Sequence, residues 1–274
     1  MWNQGCNVHP PVAPDSLSQK SWDSHIVQAS YNKLLEDSPS DQDRARLLAA
    51  AQKESGAWLH ASPTSSLGLR LDDDSIRVAV DLRLGAPLVQ PHLCHHCETQ
   101  VDRLATHGLS CRMSQGRHSR HASVNAVIKR ALDSAKIPSR LEPNGIFRDD
   151  GRRPDGATLT PWKHGRILVW DFTCTDTFAP SHIALAACGV GNVANEAEHR
   201  KKLKYSNLDN SYMFVPIAIE TSGVLGLEAS SFLKELGRRI ALISGEAKSV
   251  FFLLQRVSME LQRGNAAAVL GTLG

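Results

Sequence analysis

RRPDGATLTPWKHGRILVWDFTCTD, residues 152–176, places Asp155 at a turn and Asp171 at the end of an apolar strand, separated by enough chain for one hairpin. Two carboxylates brought together by a hairpin suit a hard cation, because Mg²⁺ takes oxygen ligands and commonly only one or two protein carboxylates, leaving room for water and phosphate. The stretch therefore reads as the core of a divalent-metal phosphodiesterase. The plainer alternative is also open: Pro-Asp-Gly is a common turn sequence, and an Asp ending a strand can cap the next segment.

Upstream of this stretch lies a local excess of positive charge. Between Arg112 and Arg153 there are ten Lys or Arg and four acids, although the whole chain of 274 residues carries a formal net charge of only +3. Clustered cations beside a metal site suit a polyanion, and their alternative is a solvated basic face. No run of 18 apolar residues occurs, so no membrane span is expected. The first residues, MWNQGCNVHPPVAPDS, lack the basic and apolar regions of a secretory signal, and an intracellular protein is expected.

Cys94, Cys97, His107 and Cys111 follow the spacing C-x2-C-x9-H-x3-C. A close Cys pair forms a tight knuckle and His-x3-Cys lies one helical turn apart, so the four can converge on Zn²⁺. Six of the twelve histidines (His92, His95, His96, His107, His118 and His121) fall around this segment and leave the fourth ligand open. Cys174 and Cys188 read as small buried hydrophobes.

Residues 1–40 read as an irregular arm, Asp41 to His60 as a helix, and Asp73 to Leu84 as a second helix ended by Gly85. SVNAVIKRALDSAKIP is amphipathic, with Ser123 as its cap and Pro138 as its stop. Three extended pieces follow, SRLEPNGIF, PDGATLTPW and GRILVWDFTC, as an antiparallel meander. A helix over Asn192 to Leu208 then leads to MFVPIAIETSG, whose apolar residues on both faces mark a buried strand. The helical crossover makes strands 166–171 and 213–220 parallel. Helices over Ser230 to Ser244 and Ala247 to Gly264 complete an α/β fold around a mixed sheet. The organisation expected is an arm and helical connector (1–90), a CCHC zinc knuckle (91–121) and an α/β domain (122–274).

This layout resembles the PD-(D/E)xK restriction-like nucleases, and PDGATLTPWKHGRILVWDFT resembles the cleavage domain of type IIS restriction endonucleases. The CCHC knuckle, the GRHSRH segment, the RPD motif and a later Lys-Tyr element more closely resemble the C-terminal region of non-LTR retrotransposon proteins that carry a restriction-like endonuclease. That resemblance covers Cys94 to Tyr205 and extends to the rest of the C-terminal half, and the first ninety residues resemble the connector between the reverse transcriptase and the knuckle in such proteins. It implies a DNA endonuclease with structural Zn²⁺ and catalytic Mg²⁺ or Mn²⁺, acting in the nucleus on DNA, with RNA as a second candidate partner. It also implies a longer parent protein with a reverse transcriptase portion; no Tyr-x-Asp-Asp element stands in this chain.

Asp155 and Asp171, with the Phe172 carbonyl, become the metal ligands. Thr173 stands where the restriction-like motif has Lys, but in the retroelement nucleases that lysine comes from the following helix. Lys204, beside Tyr205, is the first candidate and Lys201, one turn earlier, the second. Glu142 is either an additional acid on the first strand or a surface residue. Arg152 and Arg153 would hold phosphates beside the site, and Arg117, His118, Arg120 and His121 would hold duplex nearer the knuckle. Two other classes compete: a catalytically silent zinc-dependent nucleic-acid-binding module, and a pure interaction protein with a structural knuckle.

Overall fold

The computed structural model describes residues 19–146, 153–208 and 210–273. Helix α1 (Gln19–Glu36) lies in one compact unit that ends at Ser40, and the described residues from Asp41 onward form a second. The arm expected to be irregular is thus helical over 18 residues. Its sequence has no Pro or Gly to interrupt a helix, but its apolar residues do not align on one face: Trp22, Ile26, Val27 and Leu34 are all exposed.

The second unit opens with α2 (Asp41–Ala50), which stops ten residues before the expected end. Ser55 Oγ has its one hydrogen within reach of the carbonyls of Ala49 (2.6 Å) and Gln52 (2.8 Å), and Arg83 Nη2 donates to that of Ala50 (2.6 Å). With those C-terminal carbonyls satisfied, the chain continues as a 3₁₀ turn over Glu54–His60 that buries Trp58. Helix α3 (Asp73–Leu84) has the expected bounds, capped by Asp72, whose carboxylate accepts the Ser75 N–H at 2.8 Å. Next come the short antiparallel strands β1 (His92–Leu93) and β2 (Gln100–Val101) and the single-turn helix α4 (His107–Ser110).

Helix α5 (Gln115–Ser134) begins eight residues before the expected cap. Its first turns, QGRHSRHA, carry no apolar periodicity, and they are helical because they pack on the last helix: a Cβ at Gly116 would lie 2.6 Å from the Ala268 backbone. The boundary expected between residues 121 and 122 therefore falls inside α5. Knuckle, connector and sheet belong to the same compact unit.

Strands β3 (Ser139–Leu141), β4 (Gly156–Lys163) and β5 (Arg166–Thr175) form the antiparallel meander. His164 (φ 51°) and Gly165 (φ 72°) make the two-residue β4–β5 turn, both in the left-handed region that such hairpins need. After α6 (Ile183–Cys188) and α7 (Asn192–Lys204), strand β6 (Tyr212–Glu220) pairs parallel with β5, completing the mixed sheet β3-β4-β5-β6. Helices α8 (Leu227–Ser244) and α9 (Ser249–Leu270) follow.

Alternation along β5 assigns its faces. Leu168, Trp170 and Phe172 enter the main core with Ile217 and Ile219 of β6, Val124, Ile128 and Leu132 of α5, Leu233 and Leu236 of α8, and Leu261 of α9. Val169 and Asp171 point to the opposite face. There Ala194 and Ala197 of α7 meet Ala218 of β6, small residues that let the helix lie close to the sheet. The architecture is mixed α/β, with helices on both faces of the sheet.

Candidate active site and metal centre

Four ligand atoms, from Cys94, Cys97, His107 and Cys111, all lie within 4.8 Å of one another, the only group of three or more metal-ligating side chains so placed among the described residues. Cys94 Sγ is 3.9 Å from Cys111 Sγ, Cys111 Sγ is 3.7 Å from Cys97 Sγ, and Cys97 Sγ is 3.2 Å from His107 Nε2. A tetrahedron with Zn–S bonds of about 2.3 Å has S···S edges of about 3.8 Å. The two sulfur separations match that edge, so the donor set and its spacing fit Zn²⁺, and His107 is the fourth side chain of the group, the place that the sequence left open.

Thr99 donors beside the Cys97 thiol pull it down to about 6, whereas burial pushes the Cys111 thiol up. The cluster is embedded: Cys94, Cys111, Val101, Ala105 and Leu109 share a core with Val78 of α3, Phe178, and Ala266 and Val269 of α9. The His95 N–H donates to the Thr272 carbonyl at 2.9 Å, and His92 Nε2 is 3.0 Å from Thr272 Oγ1.

A second constellation lies where β4 and β5 meet α5 and α7. Gly156 pairs with Trp170 and Leu141 with Gly156, so continuing the register by one step aligns Glu142, Asp155 and Asp171 across three neighbouring strands. The Glu142 N–H indeed donates to the Asp155 carbonyl at 2.9 Å. The glycine of Pro-Asp-Gly is not there for a left-handed turn. A Cβ on Gly156 would stand 2.0 Å from the Trp170 ring, so glycine is what lets that indole pack beneath the acid.

Asp155 Oδ2 accepts the Phe172 N–H at 2.6 Å and lies 3.1 Å from His121 Nε2. Asp171 Oδ1 accepts from Lys201 Nζ at 2.6 Å, its side chain only 7% exposed. Lys201 reaches it because Ala194, Ala197, Lys201 and Tyr205 follow steps of three and four residues along the side of α7 that faces the sheet. Lys204, the first candidate for this role, is exposed. Of the two lysines singled out on this helix, Lys201 is therefore the one that meets Asp171, and it comes from the helix after the strand.

The two carboxyls are driven apart electrostatically. Burial works to raise Asp155, but the hydrogen bond and charge of His121, with the Phe172 N–H, outweigh it and hold the group below its ordinary value. Burial raises Asp171, Lys201 offsets this in part, and the neighbouring Asp155 charge pushes it further up. His121 is raised, chiefly by its hydrogen bond to Asp155. Acids shifted in opposite directions occur at functional sites and in structural ion-pair networks alike. Asp155, Asp171 and the Phe172 carbonyl offer hard oxygens only, a donor set that fits Mg²⁺ or Mn²⁺ and not a soft ion.

The remaining expected residues divide. Arg117 and His118 are exposed on the first turns of α5, and Arg153 is exposed just before Pro154. Arg152 lies outside the described residues. Glu142 is exposed at φ 47°, beside Asp155 through its backbone.

Arg120 is a correction. It is 2% exposed, donating to Asn265 Oδ1 (2.7 Å) and the Leu109 carbonyl (3.1 Å), so it ties α4 to α9 and holds no duplex. Cys188 is exposed and not a buried hydrophobe. His121 moves from the duplex surface to the acidic site. Asn125, which no motif marked, joins it: Asn125 Oδ1 accepts the Trp170 indole N–H at 3.0 Å, and its Nδ2 lies 3.4 Å from His121 Nδ1. The i, i+4 spacing of His121 and Asn125 on one helix was the available signal.

No protein-family model matches the chain, and no curated protein matches it.

Proposed function

We propose that this chain is a divalent-metal-dependent DNA endonuclease with a PD-(D/E)xK-type core and a zinc-stabilised knuckle, derived from a non-LTR retroelement protein and working in the nucleus. One observation carries the reading: Asp155, Asp171 and Lys201, from three separate elements, converge at the end of one hairpin. A turn sequence with a capping Asp does not require a lysine from a helix 30 residues away to close on the second acid.

Asp155, Asp171 and the Phe172 carbonyl would hold Mg²⁺ or Mn²⁺, which supplies charge neutralisation at phosphorus and a water of lowered pKa. Lys201 directs its ammonium at the same edge, where it can steady charge developing on a non-bridging phosphate oxygen. Arg153, with Arg117 and His118 on α5, offers sequence-independent phosphate contacts, so affinity falls with salt while sequence preference stays weak. The zinc ligands take no part in chemistry; they fix the start of α5 and hence His121.

The competing reading is a catalytically silent binding module of the same ancestry. It is favoured by both carboxylates being engaged by the protein's own cationic or polar groups, Lys201 on Asp171 and His121 on Asp155. A plasmid-nicking assay of the zinc-loaded protein with Mg²⁺, Mn²⁺ or EDTA, alongside Asp155→Ala, separates them. Metal-dependent nicking lost in the variant is the expected result; a retained gel shift without nicking establishes the silent module.

A further inference from the structure

His121 Nε2 stands 3.1 Å from Asp155 Oδ2 and 3.2 Å from the Phe172 carbonyl oxygen, two of the three oxygens assigned above to a divalent cation. One nitrogen thus engages two of the oxygens that would hold a metal. The ring sits at the core edge against Phe172, with ring centroids 5.4 Å apart, and its side chain remains 42% exposed, so it has a path outward.

The hydrogen-bond chain behind the ring decides what that nitrogen can do. The Trp170 indole N–H is a donor only, so the Asn125 atom that receives it is the amide oxygen. The Asn125 amide nitrogen is then the atom turned towards His121 Nδ1, 3.4 Å away. The two oxygens facing Nε2, the Asp155 carboxylate and the Phe172 carbonyl, are acceptors, so Nε2 carries a hydrogen shared between them. A nitrogen carrying that hydrogen has no lone pair for a metal. In this arrangement His121 is a competitor for the cation's donors, not one of them.

We propose that His121 is a placeholder in the candidate active site: its imidazole occupies the two oxygens that a divalent ion must take, and ion binding requires the ring to swing out. The inference rests on the nuclease reading, through the assignment of Asp155 and the Phe172 carbonyl as metal donors. It gives His121 a positioning role, keeping two oxygens, one half-buried and one buried, spaced for a cation and satisfied while none is bound. Leaving such groups unpaired is costly. It also makes metal affinity adjustable through one side chain, because the ion pays for displacing the ring before it gains its own contacts.

The test is Mn²⁺ binding to the zinc-loaded full chain, followed by the electron paramagnetic resonance signal of free Mn²⁺, for wild type, His121→Ala and Asp155→Ala. Removing the competitor tightens Mn²⁺ binding by about tenfold, the loss of roughly one hydrogen bond to a charged group. Asp155→Ala abolishes it.

Unchanged affinity in His121→Ala overturns the placeholder, and weaker affinity shows instead that His121 is a ligand. Where neither wild type nor His121→Ala shows Asp155-dependent binding, the nuclease reading fails and takes the inference with it. Should His121→Ala not fold, ¹⁵N spectra of the wild-type imidazole during Mg²⁺ titration decide. An Nε2–H that loses its hydrogen bond on Mg²⁺ addition supports the placeholder, and one that is unaffected by Mg²⁺ or gives way to a metal-bound nitrogen overturns it.

Discussion

The two candidate metal sites are built in opposite ways. The Cys94–Cys111 cluster is local: its outermost ligands are 17 residues apart, all four ligands converge, and its sulfur separations match one ion's tetrahedron. The Asp155–Asp171 site is assembled from α5, β4, β5 and α7, and its carboxylates are partnered by His121 and Lys201. A local site has little freedom once its spacing is set, whereas a long-range site exists only if the whole fold delivers each part. The first is therefore suited to holding structure, and the second can be open, adjustable and reactive.

The largest effect expected from this contrast is on stability. Structural zinc contributes about 10–16 kcal/mol of apparent binding energy in isolated knuckles, and here the cluster shares its core with α3 and α9. Stripping zinc with a chelator, or Cys111→Ala, should thus destabilise the whole unit from Asp41 onward, seen as a large fall in Tm by calorimetry. Magnesium removal should leave the Tm nearly unchanged. A knuckle that melts separately while the sheet keeps its transition would break the comparison.

The second effect is on chemistry. Lys201→Ala should lower the nicking rate by about 10²–10³, the scale of losing one preorganised charge-stabilising donor, while Lys204→Ala stays within a few fold. Equal losses in the two variants would mean that α7 presents a basic surface and not a single placed ammonium.

The smallest effect separates two arginines of one helix. Arg120→Ala leaves Asn265 and the Leu109 carbonyl short of a buried partner and should cost about 2–3 kcal/mol in urea unfolding. Arg117→Ala should cost almost nothing there but weaken DNA binding and flatten its salt dependence. The reverse pattern would return Arg120 to the duplex surface.

How much of this could be seen in the sequence follows the same division. The zinc ligands, the meander, the parallel β5–β6 pair and the helix at Asn192 all follow from spacing or periodicity over short windows. Asp155 and Asp171 were visible as a hairpin's two ends. Lys201 was visible only as one of several lysines, because choosing it over Lys204 depends on which side of α7 faces the sheet, and that is set by Ala194, Ala197 and Ala218 packing.

Arg120 was misread for a related reason: a basic run looks uniform in sequence, and only the close approach of α9 buries one of its members. The early start of α5 has the same cause, tertiary contact at residues of no apolar periodicity. His121 and Asn125 were missed as a pair because their partners, Trp170, Phe172 and Asp155, come from the other end of the meander.

The most direct measurement is Asp171→Asn, assayed for both Mg²⁺-dependent nicking and DNA binding on the same zinc-loaded preparation. The substitution keeps the shape of the side chain beside Lys201 but removes a negative charge from the phosphate's neighbourhood. Nicking should vanish while binding is unchanged or slightly tighter. Nicking retained in that variant would contradict the site, whatever else the fold resembles.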